Sequence, residues 1–357
     1  MKILTVVGAR PQFIKAATVS RQLKKVDAKE VILHTGQHFD HNMSQVFFEE
    51  MEIPKPDYNL NIHGLNHGAM TGRMLEGIEE ILLKEKPNLM LVYGDTNSTL
   101  AGALAAQKLH IPVAHVEAGL RSFNMSMPEE ANRILTDRIS TYLFCPTQTA
   151  VNNLNNEGFS SFNCTIENSG DVMLDAALFY GERSSSKSSI IKKQGLNKDF
   201  VLATVHRQEN TDNPERIKGI VEAFNAINKN IRVVVPIHPR TGNKIKDFGL
   251  KVEFLTIPPV GYFDMVELLK NCSVVMTDSG GLQKEAFFFK KSCITLREET
   301  EWTELVDGGY NHLAGSQHEK IVSIFWDALK QNPDFSKLLY GNGKAAKNIL
   351  STLCGGA

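Results

Sequence analysis

Short apolar runs of four to six residues recur along this 357-residue chain, each followed by a polar turn and then by a helix-length amphipathic segment. A run that short and that evenly apolar is buried on both faces, and the helical segment after it supplies the crossover that parallel strands require. The repeating unit is βαβ, so the expected class is α/β with parallel sheets. Six strands are expected in the first half: Ile3–Val7, Val31–His34, Leu89–Tyr93, Val113–Val116, Tyr142–Cys145 and about Cys164–Glu167. The pattern restarts with Phe200–Thr204, Arg232–Pro236, Val252–Leu255, Ser273–Met276 and Cys293–Leu296.

A chain of this length suits two cores better than one. The break is expected at Gly170-Asp171, followed by a long polar helix that ends in the Ser-rich GERSSSKSSIIKK. This predicts a doubly wound, Rossmann-like domain over 1–170, a second over 171–335, and a segment 336–357, helical from about Pro333, that packs back on the first. Two such domains facing each other set their strand ends across a shared cleft.

With 39 Lys+Arg against 40 Asp+Glu, nothing in the overall charge steers the chain to nucleic acid or to an anionic membrane. Any anion site is local. The five cysteines are odd in number, widely spaced and mostly in or beside apolar runs, which reads as buried thiols of a reducing compartment. MKILTVVGARP opens directly on a strand with no signal-type apolar segment, and no stretch reaches transmembrane length, so a cytoplasmic location is expected.

The chemistry concentrates between Gly94 and Arg133. Asp95 follows LMLVYG, Glu117 follows PVAHV, and GALAAQKLH between them is the crossover helix. Ligands of an open parallel sheet bind beyond the carboxyl ends of its strands, where both acids stand. The Glu129-Glu130 pair lies just downstream, and Arg121 and Arg133 are cations that could bind an anion.

Four further constellations fall at strand ends. In VVGARPQFIK a strand ends in Gly8 and a helix begins near Pro11; its backbone amides, Arg10 and Lys15 suit an anion, or are simply a solvated helix start. It lacks the spacing of a dinucleotide fingerprint, and the chain has no Walker-type motif. TGQHFDHNM carries His38 and His41, and NIHGLNHG carries His63 and His67; loop residues at the cleft mouth are preferred to a metal reading, because no zinc-type motif accompanies them. ATVHRQEN presents His206, Arg207 and Glu209, which suit a pyrophosphate. MTDSGGLQKEA follows a strand with Ser279, Gly280, Gly281 and a helix carrying Glu285, where small residues let a phosphate approach the backbone; a plain tight turn is the alternative.

Taken together, GARPQFIK, TGQH, YGDTNSTLAG, HVEAGLRS, MPEEANR, the HR of ATVHRQEN, SGGLQKEA and TEW at Thr300–Trp302 resemble the non-hydrolysing UDP-N-acetylglucosamine 2-epimerase family, in order and over residues 8 to about 305. The resemblance implies two Rossmann-like domains of the nucleotide-sugar transferase (GT-B) type, a UDP-sugar held between them, a homodimer, and no metal or other cofactor. It also implies inversion at C2 of the sugar by elimination of UDP to a 2-acetamidoglucal and re-addition. Removing a weakly acidic proton from one face and returning one to the other needs two placed groups, and clustered carboxylates let one retain a proton near neutral pH. By motif, Asp95, Glu117, Glu129 and His206 fall on the catalytic positions. Arg10, Lys15, His38, Arg133, Arg207, His238, Ser279, Gly280, Gly281 and Glu285 fall on UDP-binding or supporting ones. Glu130 reads as a structural salt-bridge partner.

QHFDHNMSQVFF, MPEEANR and TEWTE depart from the better-known bacterial members and are more similar to the branch acting on UDP-linked 2,3-diacetamido-2,3-dideoxyglucuronate. The competing readings are that substrate, a hydrolysing 2-epimerase, a glycosyltransferase of the same architecture, and a UDP-sugar sensor.

Overall fold

The computed structural model describes residues 1–37, 55–197 and 199–355. The chain divides into two compact units, Met1–Ala176 with Leu338–Ala357, and Ala177–Lys337.

The first unit is built on a seven-stranded sheet. Its strands are β1 (Lys2–Val7), β2 (Lys29–His34), β3 (Tyr58–Asn59), β4 (Leu89–Tyr93), β5 (Val113–Val116), β6 (Tyr142–Cys145) and β7 (Thr165–Asn168), in the order β3-β2-β1-β4-β5-β6-β7. All neighbouring pairs are parallel. Leu4, Val6, Val92 and Val113 pack against Met74, Ile78 and Leu82 of the helix His67–Glu85 and Ala101 and Ala105 of the helix Asn97–Lys108. Small residues bring the second of these helices close to the sheet: a Cβ on Gly102 would stand 3.2 Å from Val92 Cγ1.

The second unit repeats the winding. β8 (Phe200–Thr204), β9 (Arg232–Pro236), β10 (Leu255–Ile257), β11 (Val274–Thr277), β12 (Ser292–Thr295) and β13 (Asn311–Leu313) pair in parallel in the order β10-β9-β8-β11-β12-β13. Each unit is thus a doubly wound, Rossmann-like sheet. The strand order reverses between β1 and β4 in one unit and between β8 and β11 in the other, and a reversal of this kind opens a crevice at the strand ends.

Three details differ from the expectation. The strand expected at Val252–Leu255 forms at Leu255–Ile257. Asn225 takes up the backbone before it, donating to Lys251 O and accepting from Glu253 N, both at 2.8 Å, so those residues make no ladder. The edge strands β3 and β13, YN and NHL, carry no apolar run and gave no signal. Near the carboxyl end the helix covers only Ala345–Leu353. It packs on the helix Arg10–Leu23, and Asp175 caps it by accepting from Ala345 N and Ala346 N at 3.0 and 2.9 Å.

Candidate active site

The switch point of the first unit lies between Gly8, after β1, and Gly94, after β4. Gln12 ties the two turns together. Its Oε1 accepts from Gly8 N and Ala9 N at 2.8 and 3.0 Å, while its Nε2 donates to Tyr93 O and Thr99 Oγ1 at 2.9 Å. Of the backbone amides expected to suit an anion, those of Gly8 and Ala9 are taken by Gln12. Arg10 opens the helix Arg10–Leu23.

Beyond β4 and β5 the two acids meet. Gly94 turns at φ +62°, a conformation natural to glycine, and a Cβ there would fall 3.0 Å from Lys15 Nζ and 3.1 Å from Glu117 Oε2. The bare backbone at Gly94 is what lets the buried Lys15–Glu117 ion pair sit beside Asp95. Glu117 itself adopts φ +74°, a strained setting for a non-glycine residue. Its amide and that of Ala118 both donate to Phe144 O at 3.0 Å, which fixes the turn against β6.

Asp95 accepts from Arg133 Nη2 at 2.7 Å with 30% of its side chain exposed. Burial pushes its carboxyl above the ordinary carboxylate range; Arg133 and Lys15 pull it down without cancelling that effect, and the charges of Glu117 and Glu129 add to the rise. Glu129, on the first turn of the helix Pro128–Ile139, is exposed. The arrangement therefore offers one carboxyl whose proton affinity is raised by burial and a second held in an ion pair with Lys15.

The neighbouring acids behave differently. Glu130 is buried and accepts from Ser122 N, Ser122 Oγ, Phe123 N and Arg133 Nη1, the last at 2.6 Å. Burial pushes its carboxyl up, but these donors outweigh burial and hold it low. Asp137 is buried and accepts from His115 Nδ1 and Arg121 Nη1, both at 2.7 Å, and from Gly119 N at 3.1 Å. Arg121 also forks onto Glu157 at 2.7 and 2.8 Å. It is 4% exposed and is not the anion-binding cation that its sequence position suggests: its donors already serve Asp137, Glu157 and Leu120 O. His115 Nε2 meets Gly94 O at 2.7 Å, which joins this knot to the Asp95 turn.

In the second unit His206 and Arg207 follow β8, and Asp278, Ser279 and Gly280 follow β11. Asp278 is fully buried and organises both turns. It accepts from Arg207 N at 3.0 Å, His206 N at 3.1 Å and Asn210 Nδ2 at 3.1 Å, and lies 3.3 Å from His206 Nδ1. A carboxylate on Nδ1 leaves Nε2 of the exposed ring for other work. Ser279 caps the helix Gly280–Phe288, which also carries the buried Glu285. A Cβ on Gly280 would collide with Glu301 Oε1 at 2.2 Å, and Trp302 Nε1 donates to Gly280 O at 2.9 Å. Burial pushes the Glu301 carboxyl up, but the charges of Arg297 and Arg207 hold it low. Exposed backbone at Gly281 and the helix N-terminus, beside Arg207, suit a phosphate.

The structure therefore gathers Lys15, Asp95, Glu117, Glu129 and Arg133 in one unit, and His206, Arg207, Ser279, Gly280, Gly281 and Glu285 in the other. His238 caps the helix Pro239–Asp247 just after β9. His38 and His41 lie outside the described residues. His67 opens the helix His67–Glu85 and meets Asn97 Nδ2 at 3.2 Å through Nδ1. Among the described residues no group of three or more His, Cys, Asp or Glu is placed to hold a metal ion. Sequence reasoning missed Gln12, the His115–Asp137 pair and Asp278. Asp278 did leave a signal, since it stands at a strand end as Asp95 does.

Residues 21–354 match the family model described as UDP-N-acetylglucosamine 2-epimerase. A UDP-2,3-diacetamido-2,3-dideoxy-D-glucuronate 2-epimerase of Pseudomonas aeruginosa is 56% identical, with 99% of each chain covered. A UDP-N-acetylglucosamine 2-epimerase of Methanococcus maripaludis is 46% identical over 99% of this chain and 98% of its own. The crystal structure of the Methanocaldococcus jannaschii UDP-GlcNAc 2-epimerase in complex with UDP-GlcNAc and UDP superposes with a TM-score of 0.91 at 43% identity, covering 99% of both chains. Fold, strand-end residues and full-length similarity agree, and the chain belongs to the UDP-N-acetylglucosamine 2-epimerase family.

Proposed function

We propose that this protein inverts C2 of a UDP-linked 2-acetamido sugar without net hydrolysis, converting UDP-N-acetylglucosamine to UDP-N-acetylmannosamine. A carboxylate removes the C2 proton, the C1–O bond breaks with its electron pair leaving on UDP, and the 2-acetamidoglucal remains. Protonation of C2 from the other face and return of the UDP oxygen to C1 complete the cycle. The observation that carries the reading is the meeting of Asp95 and Glu117 at Gly94, one carboxyl raised by burial and the other paired with Lys15. Glu117 is assigned as base and Asp95 as acid, with Glu129 and His206 assisting. Arg207, Ser279, Gly280 and Gly281 take the diphosphate, Glu285 the ribose, and Arg10, Lys15, His38, Arg133 and His238 support the nucleotide sugar. No cofactor is needed, because every step moves a proton or a leaving group.

Incubation with UDP-N-acetylglucosamine in heavy water tests this directly. Deuterium should enter at C2 while the sugar stays on UDP; release of free sugar as the main product would point to hydrolysis, and no exchange on this sugar or on the UDP-linked diacetamido-uronate would remove the epimerase reading. A second substrate, the UDP-linked diacetamido-uronate, is favoured by the 56% identity to the Pseudomonas relative. Rates on the two substrates decide between them.

A homodimer and a cytoplasmic location complete the proposal. All five cysteines are unpaired, which suits a reducing compartment. Light scattering that returns the mass of one chain would remove the dimer.

A further inference from the structure

Between Glu117 and the helix Pro128–Ile139 runs the segment Ala118–Met127, and its middle carries two large apolar side chains in the open. Phe123 is 77% exposed and Met125 is 66% exposed. Phe123 also adopts φ +57°, the left-handed region, where a bulky residue is an outlier whose cost the surrounding structure must sustain. What sustains it is Glu130, which accepts from Phe123 N at 2.9 Å and from Ser122 N at 3.0 Å. The other hand of Glu130 is on Arg133, and Arg133 is on Asp95. A strained, exposed aromatic is thus held two ion pairs away from the carboxyl assigned as the acid. Glycine would satisfy the same turn with no strain and no exposed apolar surface.

We infer that Phe123, with Met125, forms an apolar rim that receives acetamido methyl groups of the sugar, so that this segment selects how many such groups the substrate carries. The inference rests on the epimerase reading and deepens it by naming the residues that choose the sugar. An apolar contact rewards each buried methyl by a factor of about four, taking 0.8 kcal/mol per buried carbon. A sugar with acetamido groups at C2 and C3 therefore gains more from the rim than one with a single group.

The test uses the full chain with Phe123→Gly and Phe123→Tyr, each measured on UDP-N-acetylglucosamine and on UDP-2,3-diacetamido-2,3-dideoxyglucuronate. Glycine adopts the left-handed conformation freely, so F123G should melt no lower than the parent and should bind free UDP, which has no acetamido group, with unchanged affinity. Its kcat/KM should fall on both substrates, and about fourfold further on the diacetamido one. F123Y keeps the aromatic face and should keep the parent preference. Unchanged kcat/KM in F123G on both substrates, an equal fall on both, or a fall in F123Y as deep as in F123G would each overturn the inference. So would a lower melting point in F123G, because the ring would then be structural packing. A parent enzyme that exchanges C2 hydrogen on neither substrate removes the epimerase reading and this inference with it, whereas an active parent with an indifferent F123G removes only the inference.

Discussion

Asp95 and Asp137 stand near the carboxyl ends of β4 and β5, and each meets an arginine at 2.7 Å, yet they are opposite kinds of acid. Asp137 is wholly buried and saturated: His115, Arg121 and Gly119 supply its donors, and together they outweigh burial and hold its carboxyl below the ordinary range. Asp95 is partly open, is ion-paired with Arg133, and is pushed above that range by burial. A carboxylate that the fold wants ionised stabilises the fold. One that burial disfavours in its ionised form costs stability instead, the pattern expected of a group proposed to trade a proton. The two are joined through His115, which reaches Asp137 with one ring nitrogen and the Gly94 carbonyl, next to Asp95, with the other. The satisfied knot is the frame on which the unsatisfied group is mounted.

The largest effect expected from this contrast is on turnover. Glu117→Gln removes the assigned base while keeping the shape of the side chain, so kcat should drop by roughly 10²- to 10⁴-fold, the usual worth of a positioned acid or base. UDP affinity should change little. Calorimetric binding of UDP beside C2 exchange by NMR separates the two, and a parallel loss of both would mean that Glu117 only holds the turn.

Asp137→Asn comes next, and its effect is on stability. The change leaves Arg121 and His115 facing an amide in a dry interior, and removing one partner of a buried pair costs about 3–5 kcal/mol. Denaturant unfolding that shows less than about 1 kcal/mol would break the comparison, because Asp137 would then be no more structural than a surface acid.

Asp278→Asn tests whether the second unit follows the same logic. Asp278 receives two backbone amides and approaches the ring of His206, so its charge sets the turn that presents His206 and Arg207. Loss of charge-assisted hydrogen bonds is worth about 1.5–3 kcal/mol, so UDP should bind roughly tenfold more weakly or worse. Unchanged UDP affinity would show that the turn holds its shape without the charge.

The parts of this architecture that the sequence announces are those governed by local chemistry. Buried strands read as apolar runs because both faces are covered, and Asp95, Glu117, His206 and Ser279 read as site residues because strand ends are where a parallel sheet binds ligands. What escaped depends on partners far away in the chain. Arg121 looks like a free cation until the fold brings Asp137 and Glu157 to it, 16 and 36 residues on. Gln12 looks like an ordinary helix residue until its side chain spans β1 and β4. β3 and β13 are too short to show a period, and Asn225 displaces β10 by a side-chain contact that no local pattern encodes.

The smallest effect is also the sharpest, because it has the opposite sign to that of Asp137. A carboxyl whose folded pKa is raised is disfavoured by folding in its ionised form, so at pH 7 Asp95 costs stability that asparagine, the shape of the protonated acid, does not. Asp95→Asn should therefore unfold at the same or a higher denaturant concentration than the parent at pH 7, even though it is inactive. The advantage should shrink as pH falls through the raised folded value and vanish below about 3.9, where Asp95 is protonated in both the folded and unfolded chain. Asp137 runs the other way: its folded pKa is depressed, so its contribution is full above the ordinary carboxylate value and is lost only as pH falls through the lower folded one. Unfolding curves of D95N, D137N and the parent from pH 3 to pH 8 place both signs in one experiment. If D95N is destabilised at pH 7 as D137N is, then Asp95 is held ionised by Arg133 and cannot be the group that keeps a proton for C2.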